Sequence, residues 1–265
     1  MVYLAIERVK TGIEGLDKAL NGGIPKKNIV LVSGGAGTGK STLCMQYLVN
    51  GCKMGEKGLY VSTEQNEEEL KKAASNFGWD LDGLIKSGKL KIIYYDVLLT
   101  DHFLDKVDSI YHQFQPKRIV VDSLTTLTDS LLINRDSLKD SSFTLVKIEE
   151  DMSAVPISER IVSKEMLYHL IGKFKLYDAT VLMSSELLEE AKGLSADQIS
   201  EFICDGVIIL DVREIAKKTV RSIKIRKMRN TYHELDSFLL NLSSNGVVIE
   251  KETIFTGGKI SGINP

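Results

Sequence analysis

The chain has 265 residues, 43% of them hydrophobic and 26% charged, a length and composition that suit one sizeable globular core or two small ones. Its formal net charge of −2 gives no electrostatic footprint for nucleic acid or an anionic membrane as a partner. No run approaches the roughly 18 apolar residues of a membrane span, the N-terminus lacks a signal-peptide core, and three cysteines without metal spacing point to a reduced, cytoplasmic protein whose thiols fill core space.

Short apolar, β-branched runs alternate with stretches of helical length. Asn28–Gly34 (NIVLVSG), Gly58–Thr63 (GLYVST), Leu90–Asp96 (LKIIYYD), Arg118–Ser123 (RIVVDS), Ala179–Ser185 (ATVLMSS) and Asp205–Leu210 (DGVIIL) read as strands. Several are continuously apolar, as strands buried on both faces of a mostly parallel sheet are. Between them, Lys40–Met54, Asn66–Phe77, Asp101–Phe114 and about Ser158–Tyr177 read as helices. That alternation implies right-handed crossovers and a doubly wound α/β fold. After Asp205 the texture changes, and TVRSIKIRKMR, SFLLNLS and GVVIE predict antiparallel strands closing one side of the sheet. Residues 1–265 read as a single domain. Within it, the polar segment 134–159, which contains Pro156, reads as an insertion or mobile loop, a kind of connection that is commonly functional when long.

Gly34–Thr42 (GGAGTGKST) fits G-x-x-x-x-G-K-[ST] and lies between an expected strand and an expected helix, the context that gives the motif its meaning. Glycines 34, 35, 37 and 39 let the backbone take positive φ and turn successive N–H groups toward phosphate oxygens. The loop Gly35, Ala36, Gly37, Thr38 and Gly39 would cradle the phosphates, with Lys40, Ser41 and Thr42 at the positive end of the following helix. Lys40 would reach the β- and γ-phosphates of ATP and the Ser41 hydroxyl would ligate Mg2+. Asp122, at the end of the RIVVD run, supplies the carboxylate that orients the metal; a helix cap is the competing role at that point, and Ser123 fits it equally well. Glu64, at the end of GLYVSTE, would stand at the carboxyl edge of the sheet and orient or deprotonate an attacking water. The acids Glu67, Glu68 and Glu69 are better explained as first-turn complements to a helix dipole. Ser184 or Ser185, in LMSSE, could sense the γ-phosphate, and a structural hydroxyl accounts for them equally well.

Near the C-terminal end, Lys227 and Arg229 follow an alternating strand two residues apart, so both point to one side, with Thr231 and His233 on the same parity. A solvated edge that discourages strand addition accounts for such a pair; a site that these residues serve would account for it differently.

Taken together, these segments resemble the RecA-type P-loop ATPases, and within them the KaiC-like family. Thr11–Pro25 (TGIEGLDKALNGGIP) is similar to that family's lead-in to the P-loop, GLYVSTEQ to its catalytic-glutamate strand, Asn76–Leu90 to a stretch peculiar to it, VVDSLTTL to its Walker B segment and KMRNTYH to its K-x-R-x-T-x-H element. The resemblance implies a homo-hexameric ring with ATP between subunits. Lys227 and Arg229 would then stabilise charge on the γ-phosphate bound to the next subunit, with Thr231 and His233 against the same nucleotide. Ser243 and Ser244 fall where the family contacts adenine. Gln65 departs from the family's two adjacent glutamates, and only one ATPase domain is present. Thr253–Thr256 offers hydroxyls without a phosphosite motif.

Three functions follow as expectations. The leading one is an Mg-ATP hydrolase coupling turnover to a protein partner, and Gln65 favours the second, a slowly hydrolysing, ATP-gated assembly module. A recombination regulator is the third, but Glu186–Glu201 carries five acids against one lysine, which would repel nucleic-acid phosphates.

Overall fold

The computed structural model describes residues 6–96, 103–133, 157–187, 193–215 and 218–251. In chain order these form β1 (Arg8–Val9), α1 (Leu16–Ala19), β2 (Ile24–Pro25), β3 (Ile29–Gly34), α2 (Lys40–Lys53), β4 (Gly58–Ser62), α3 (Glu67–Ser75), α4 (Leu81–Lys86), β5 (Leu90–Tyr94) and α5 (Phe103–Phe114). There follow β6 (Arg118–Asp122), α6 (Leu124–Ile133), α7 (Ile157–Lys175), β7 (Thr180–Glu186), α8 (Ser200–Ile203), β8 (Gly206–Ile215), β9 (Lys218–Met228), β10 (Ser237–Ser243) and β11 (Gly246–Lys251). Among the described residues no helix is long and apolar enough to cross a membrane.

Nine strands form one sheet in the order β11-β10-β9-β8-β3-β7-β6-β4-β5. From β8 to β5 every pairing is parallel; β9, β10 and β11 add antiparallel strands at one side. This is the RecA-like α/β fold expected. Each of the six expected core strands begins within a residue of its predicted start, while β8 runs on to Ile215 because its outer half pairs with β9 as far as Lys218.

Alternation along each strand divides the apolar side chains between two cores. Val30, Val32, Tyr60, Val120 and Leu182 face α1 to α4. Ile29, Leu31, Leu59, Val61, Val121 and Met183 face α5, α6 and α7. Helix α2 buries residues all round its circumference, as a helix pressed between the sheet and the β10–β11 hairpin must. Cys44, Cys52 and Cys204 are buried free thiols, and burial pushes the thiol of Cys204 up to about 12, so they pack as small inert side chains. Trp79 stacks on Phe77 with ring centroids 4.8 Å apart.

Helix α6 departs from the sequence expectation. Its sequence, LTTLTDSLLI, is rich in threonine and serine, which favour caps and turns over helix interiors; burial of Leu124 and Leu127 decides the outcome. Helix α7 starts at Ile157, so residues 157–159 of the expected insertion are helical, and 134–156 lie outside the described residues, as do His102 and Thr253–Thr256.

At the lower end of β6, Arg118 is buried to 1% exposure. Its Nε donates to Glu56, its Nη1 to the carbonyl of Tyr47 at 2.9 Å, and its guanidinium lies 4.6 Å from the centroid of the Tyr47 ring. Gly51 leaves the space for it: a Cβ there would lie 2.3 Å from Arg118 Nε. Replacing Gly51 by alanine must therefore displace a buried, paired cation, at a cost of about 3 kcal/mol. Gly172 is exposed in α7, and no atom lies within 4 Å of where its Cβ would stand, so alanine there should instead gain about 0.5–1 kcal/mol. Denaturant unfolding of the two variants should move in opposite directions.

Candidate functional site

Helix α2 is the first element after β3, and its N-cap Gly39 is left-handed, with φ 102. Gly37 also has positive φ, 71, and no atom lies within 4 Å of where its Cβ would be, so the loop is open on that side. Gly34 is required for a different reason than backbone φ: a Cβ there would lie 2.4 Å from the carbonyl oxygen of Leu210 on β8. Gly35 shows neither constraint, its nearest neighbour in the same test being Leu187 O at 3.6 Å. Positive φ thus belongs to two of the four glycines assigned it.

Three side chains shape the loop. Thr38 Oγ1 donates to Gly35 O at 2.9 Å, and Arg221 Nε, from β9, donates to Gly37 O at 3.0 Å. Lys40, only 8% exposed, donates to Gly34 O at 2.9 Å and Gly35 O at 3.0 Å and pairs with Glu186 at 3.4 Å. Its ammonium is folded back over its own loop onto acceptors that phosphate oxygens could replace. Ser41 and Thr42 stand half-buried in the first turn of α2. A lysine, a hydroxyl and an open helix N-terminus are a donor set that suits a triphosphate with a hard cation.

Asp122 ends β6 and is 6% exposed. Its Oδ2 accepts from Tyr60 Oη at 2.5 Å, and its Oδ1 accepts from Ser184 Oγ. Burial, reinforced by the Asp122 charge, pushes the Tyr60 phenol well above its ordinary range, so it stays a donor. Each carboxylate oxygen keeps further acceptor capacity. The helix-cap role falls to Ser123, whose Oγ accepts from Thr126 N at 3.1 Å, and Asp122 is free of it.

Glu64 is exposed just beyond β4, and its Oε1 accepts from Ser123 Oγ at 2.7 Å and Thr126 Oγ1 at 2.9 Å. Asn66 starts α3 with a capping box closed by Glu69, which bears out the first-turn reading of the acids there. Ser184 and Ser185 are both fully buried. Ser184 serves Asp122, while Ser185 accepts from Ala196 N at 3.3 Å and donates to Glu186 O at 3.3 Å. Tyr60, Thr126, Arg221 and Glu186 are site residues that sequence reasoning missed. Only Tyr60 carried a signal, as a phenol inside an apolar strand.

Lys227 and Arg229 lie at the other rim of the sheet. Strands β3 and β8 run parallel, with Gly34 opposite Leu210; β9 returns antiparallel, bringing Lys227 opposite Val207. Lys227 Nζ donates to the carbonyls of Glu201 at 2.9 Å, Phe202 at 3.2 Å and Cys204 at 2.7 Å. Burial, and then the charge of Arg229, pull it below an ordinary lysine. Arg229 donates to Asp205 Oδ1 at 3.0 Å and Phe202 O at 3.1 Å. Asp205 also accepts from the backbone N–H of Ile29, the first residue of β3. Five residues of strand separate Ile29 from Gly34, about 17 Å, more than an arginine side chain spans.

Both cations do face one side, through a bulge. The register shifts between Val207 and Ile208, so Ile223, Ile225 and then Met228 fill one core, while Lys227 and Arg229 turn to α8. Simple alternation would have put them with Ile223 and Ile225; the extra residue re-aims them. Their shared parity does not extend further, since β9 ends at Met228 and Asn230 has φ 57. Thr231 Oγ1 accepts from Arg8 at 3.0 Å, and His233 Nδ1 lies 3.2 Å from Glu234 O. Ser243 and Ser244 sit at the β10–β11 turn, exposed. That turn lies at the P-loop rim, for Leu240 and Leu242 of β10 approach the Cβ position of Gly39 to 3.9 Å.

A family model described as "ATPase: KaiC" matches residues 9–165 and 151–254. A UPF0273 protein of Thermotoga maritima is 31% identical over 244 residues, covering 92% of this chain and 96% of that protein. A UPF0273 protein of Pyrococcus furiosus is 28% identical over 255 residues, covering 96% of this chain and 98% of that one. Among solved structures, a KaiC-like protein from the hyperthermophilic archaeon Pyrococcus horikoshii superposes with a TM-score of 0.75 at 31% identity, over 92% of this chain and 99% of that chain.

The Asp122 cluster predicts its own energetics. Tyr60→Phe removes one of two hydroxyl donors from a buried carboxylate and should cost about 1.5–3 kcal/mol in urea unfolding at neutral pH without nucleotide.

Proposed function

The chain belongs to the KaiC family of ATPases, and from that premise we propose that it binds and hydrolyses Mg-ATP at sites shared between copies of itself in a homo-hexameric ring, coupling its ATP state to a protein partner. Family membership supports ATP binding. The observation that carries the shared site is the separation of Lys227 and Arg229 from their own P-loop by the length of β3. Cations placed there serve a nucleotide only if it is held by a second copy. Phe202 at 70% exposure, Tyr232 at 86% and Leu235 at 65% flank the pair, as interface anchors would.

In this reading Gly35, Ala36, Gly37, Thr38 and Gly39 wrap the phosphates, and Lys40 leaves the Gly34 and Gly35 carbonyls for the β- and γ-phosphates. Ser41 and Asp122 would hold Mg2+, which neutralises phosphate charge. Glu64, kept in place by Ser123 and Thr126, orients the attacking water. From the neighbouring copy, Lys227 and Arg229 stabilise charge at the γ-phosphate, with Thr231 and His233 beside them. Ser243 and Ser244 lie at the P-loop rim for the base, and Ser184 acts through Asp122. A second reading, slow turnover in an ATP-gated assembly, is favoured by Gln65: it is exposed, its backbone N–H is bonded to Ser62 Oγ at 3.0 Å, and its amide is no base.

Light scattering with and without Mg-ATP should show mass rising to roughly six protomers, with specific activity rising alongside protein concentration. Arg229→Ala should lower turnover by about a thousandfold and leave ATP binding intact. Turnover by a monomer, indifferent to that substitution, would overturn the shared site; rings that form on ATP yet barely turn over would favour the second reading.

A further inference from the structure

Beyond Met228 no strand ladder holds the chain until β10 begins at Ser237. The segment carrying Arg229, Thr231 and His233 depends instead on separate attachments. Arg229 N donates to Asp205 O at 2.8 Å, and Glu234 N to Ala19 O at 3.3 Å. Between these, a guanidinium from the other end of the chain reaches in. Arg8 Nη1 donates to Thr231 Oγ1 at 3.0 Å and Nη2 to Asn230 O at 3.5 Å; Nη1 also meets Gly23 O at 3.0 Å and Leu20 O at 3.3 Å.

All four acceptors are neutral carbonyl or hydroxyl oxygens, so the cation is spent on fixing backbone rather than on an acid. The platform bearing Arg8 is itself tied down. Asp17 accepts from Thr11 N and Oγ1 and from Gly12 N at 2.7–3.1 Å, Arg8 pairs with Pro25 across the β1–β2 ribbon, and Ile249 N of β11 donates to Glu14 O at 2.9 Å. The planar fork thus joins a rigid N-terminal segment to the turn directly after Arg229. Thr231 is set in the same step: it accepts from Arg8 while donating to Arg229 O at 3.4 Å.

We propose that Arg8 is a positioning residue for the in-trans element, fixing from the N-terminal segment the turn that aims Arg229 and Thr231 at the nucleotide of the neighbouring copy. The inference rests on the shared-site reading given above. It predicts a defect that is felt in the next subunit and not in the subunit carrying the substitution.

Subunit mixing tests this. Arg8→Ala alone should keep ATP binding and KM and lower kcat about tenfold, as a small misplacement of a catalytic group does. Lys40→Ala has no working P-loop but keeps its cations and its Arg8. In mixed rings an Arg8→Ala subunit beside a Lys40→Ala subunit has both halves of a good site. An equal mixture should therefore reach about a quarter of wild-type activity, well above the mean of the two parents, because half of the intact P-loops face intact neighbours across a heterologous interface. The same mixing with Arg229→Ala is the control. Recovery in the control but not with Arg8→Ala, or unchanged kcat in Arg8→Ala, would overturn the role of Arg8 and leave the shared site standing. No recovery in either mixture would remove the shared-site reading itself. Arg8→Lys keeps the stem and charge but not the fork, and should give the same mixing result if the alanine variant folds poorly.

Discussion

The direction of three adjacent strands governs this molecule. Because β3 and β8 run together and β9 runs back, residues at the end of β3 and residues at the end of β9 must lie at opposite rims. The residues proposed to meet phosphate at the first rim, from Gly34 to Ser41 with Asp122 and Glu64, come from strand ends of the parallel part of the sheet, where such folds bind ligands. The basic pair at the second rim is beyond side-chain reach of it. In the proposed reading, parallel pairing builds half a site per chain, and the antiparallel return presents the other half to whatever packs against it. That division is what the proposed ring exploits.

The charged groups at both rims are internally satisfied. Lys40 rests on two loop carbonyls and Glu186; Asp122 rests on Tyr60 and Ser184. Leaving either charge buried and unpaired would cost several kcal/mol, so the free state needs these stand-in partners. A nucleotide bound at this site would have to exchange some of them. The exchange is unequal for the two groups. Lys40 has to give up its carbonyls to reach a phosphate, whereas Asp122 can keep both hydroxyls, because each carboxylate oxygen accepts more than one bond. In the proposed site the carboxylate would thus be in place before ligand arrives, and the lysine would be the member that moves.

The fold was legible because strands buried on both faces leave continuous apolar runs, and NIVLVSG or RIVVDS admit no other reading in context. The glycine-rich loop between β3 and α2 was legible because its pattern is local in sequence. Tertiary context hid the rest. Tyr60 reads as another apolar strand residue until Asp122 is seen beside it. Helix α6 is written in threonines, whose preference for caps yields to the burial of Leu124 and Leu127. The direction of Lys227 and Arg229 was right for an incomplete reason. Alternation from Ile223 and Ile225 leads into the core, and only the bulge beside Val207, which no residue type announces, turns the pair out toward α8. Arg8 and Thr231 meet across nearly the whole chain, a distance at which sequence pattern says nothing.

The two cations at the far rim raise a last question of energy. Lys227 satisfies its three donors with three carbonyls around α8, and Arg229 uses Phe202 O and Asp205. Swapping these carbonyl and carboxylate acceptors for phosphate oxygens would keep the number of bonds near constant, so the net gain per bond would be modest. Bonding alone therefore does not draw these side chains to a neighbour's phosphate. Two other contributions remain. The exposed Phe202, Tyr232 and Leu235 would gain by leaving water, which would favour contact between copies but not complete the ring without nucleotide. Charge contributes as well: desolvation already holds Lys227 below an ordinary lysine, with Arg229 close by, and a phosphate would add anionic charge beyond the single Asp205 carboxylate that Arg229 already meets. Apolar burial would then favour association, and the anion would complete it by drawing the basic pair from Asp205 and the carbonyls around α8.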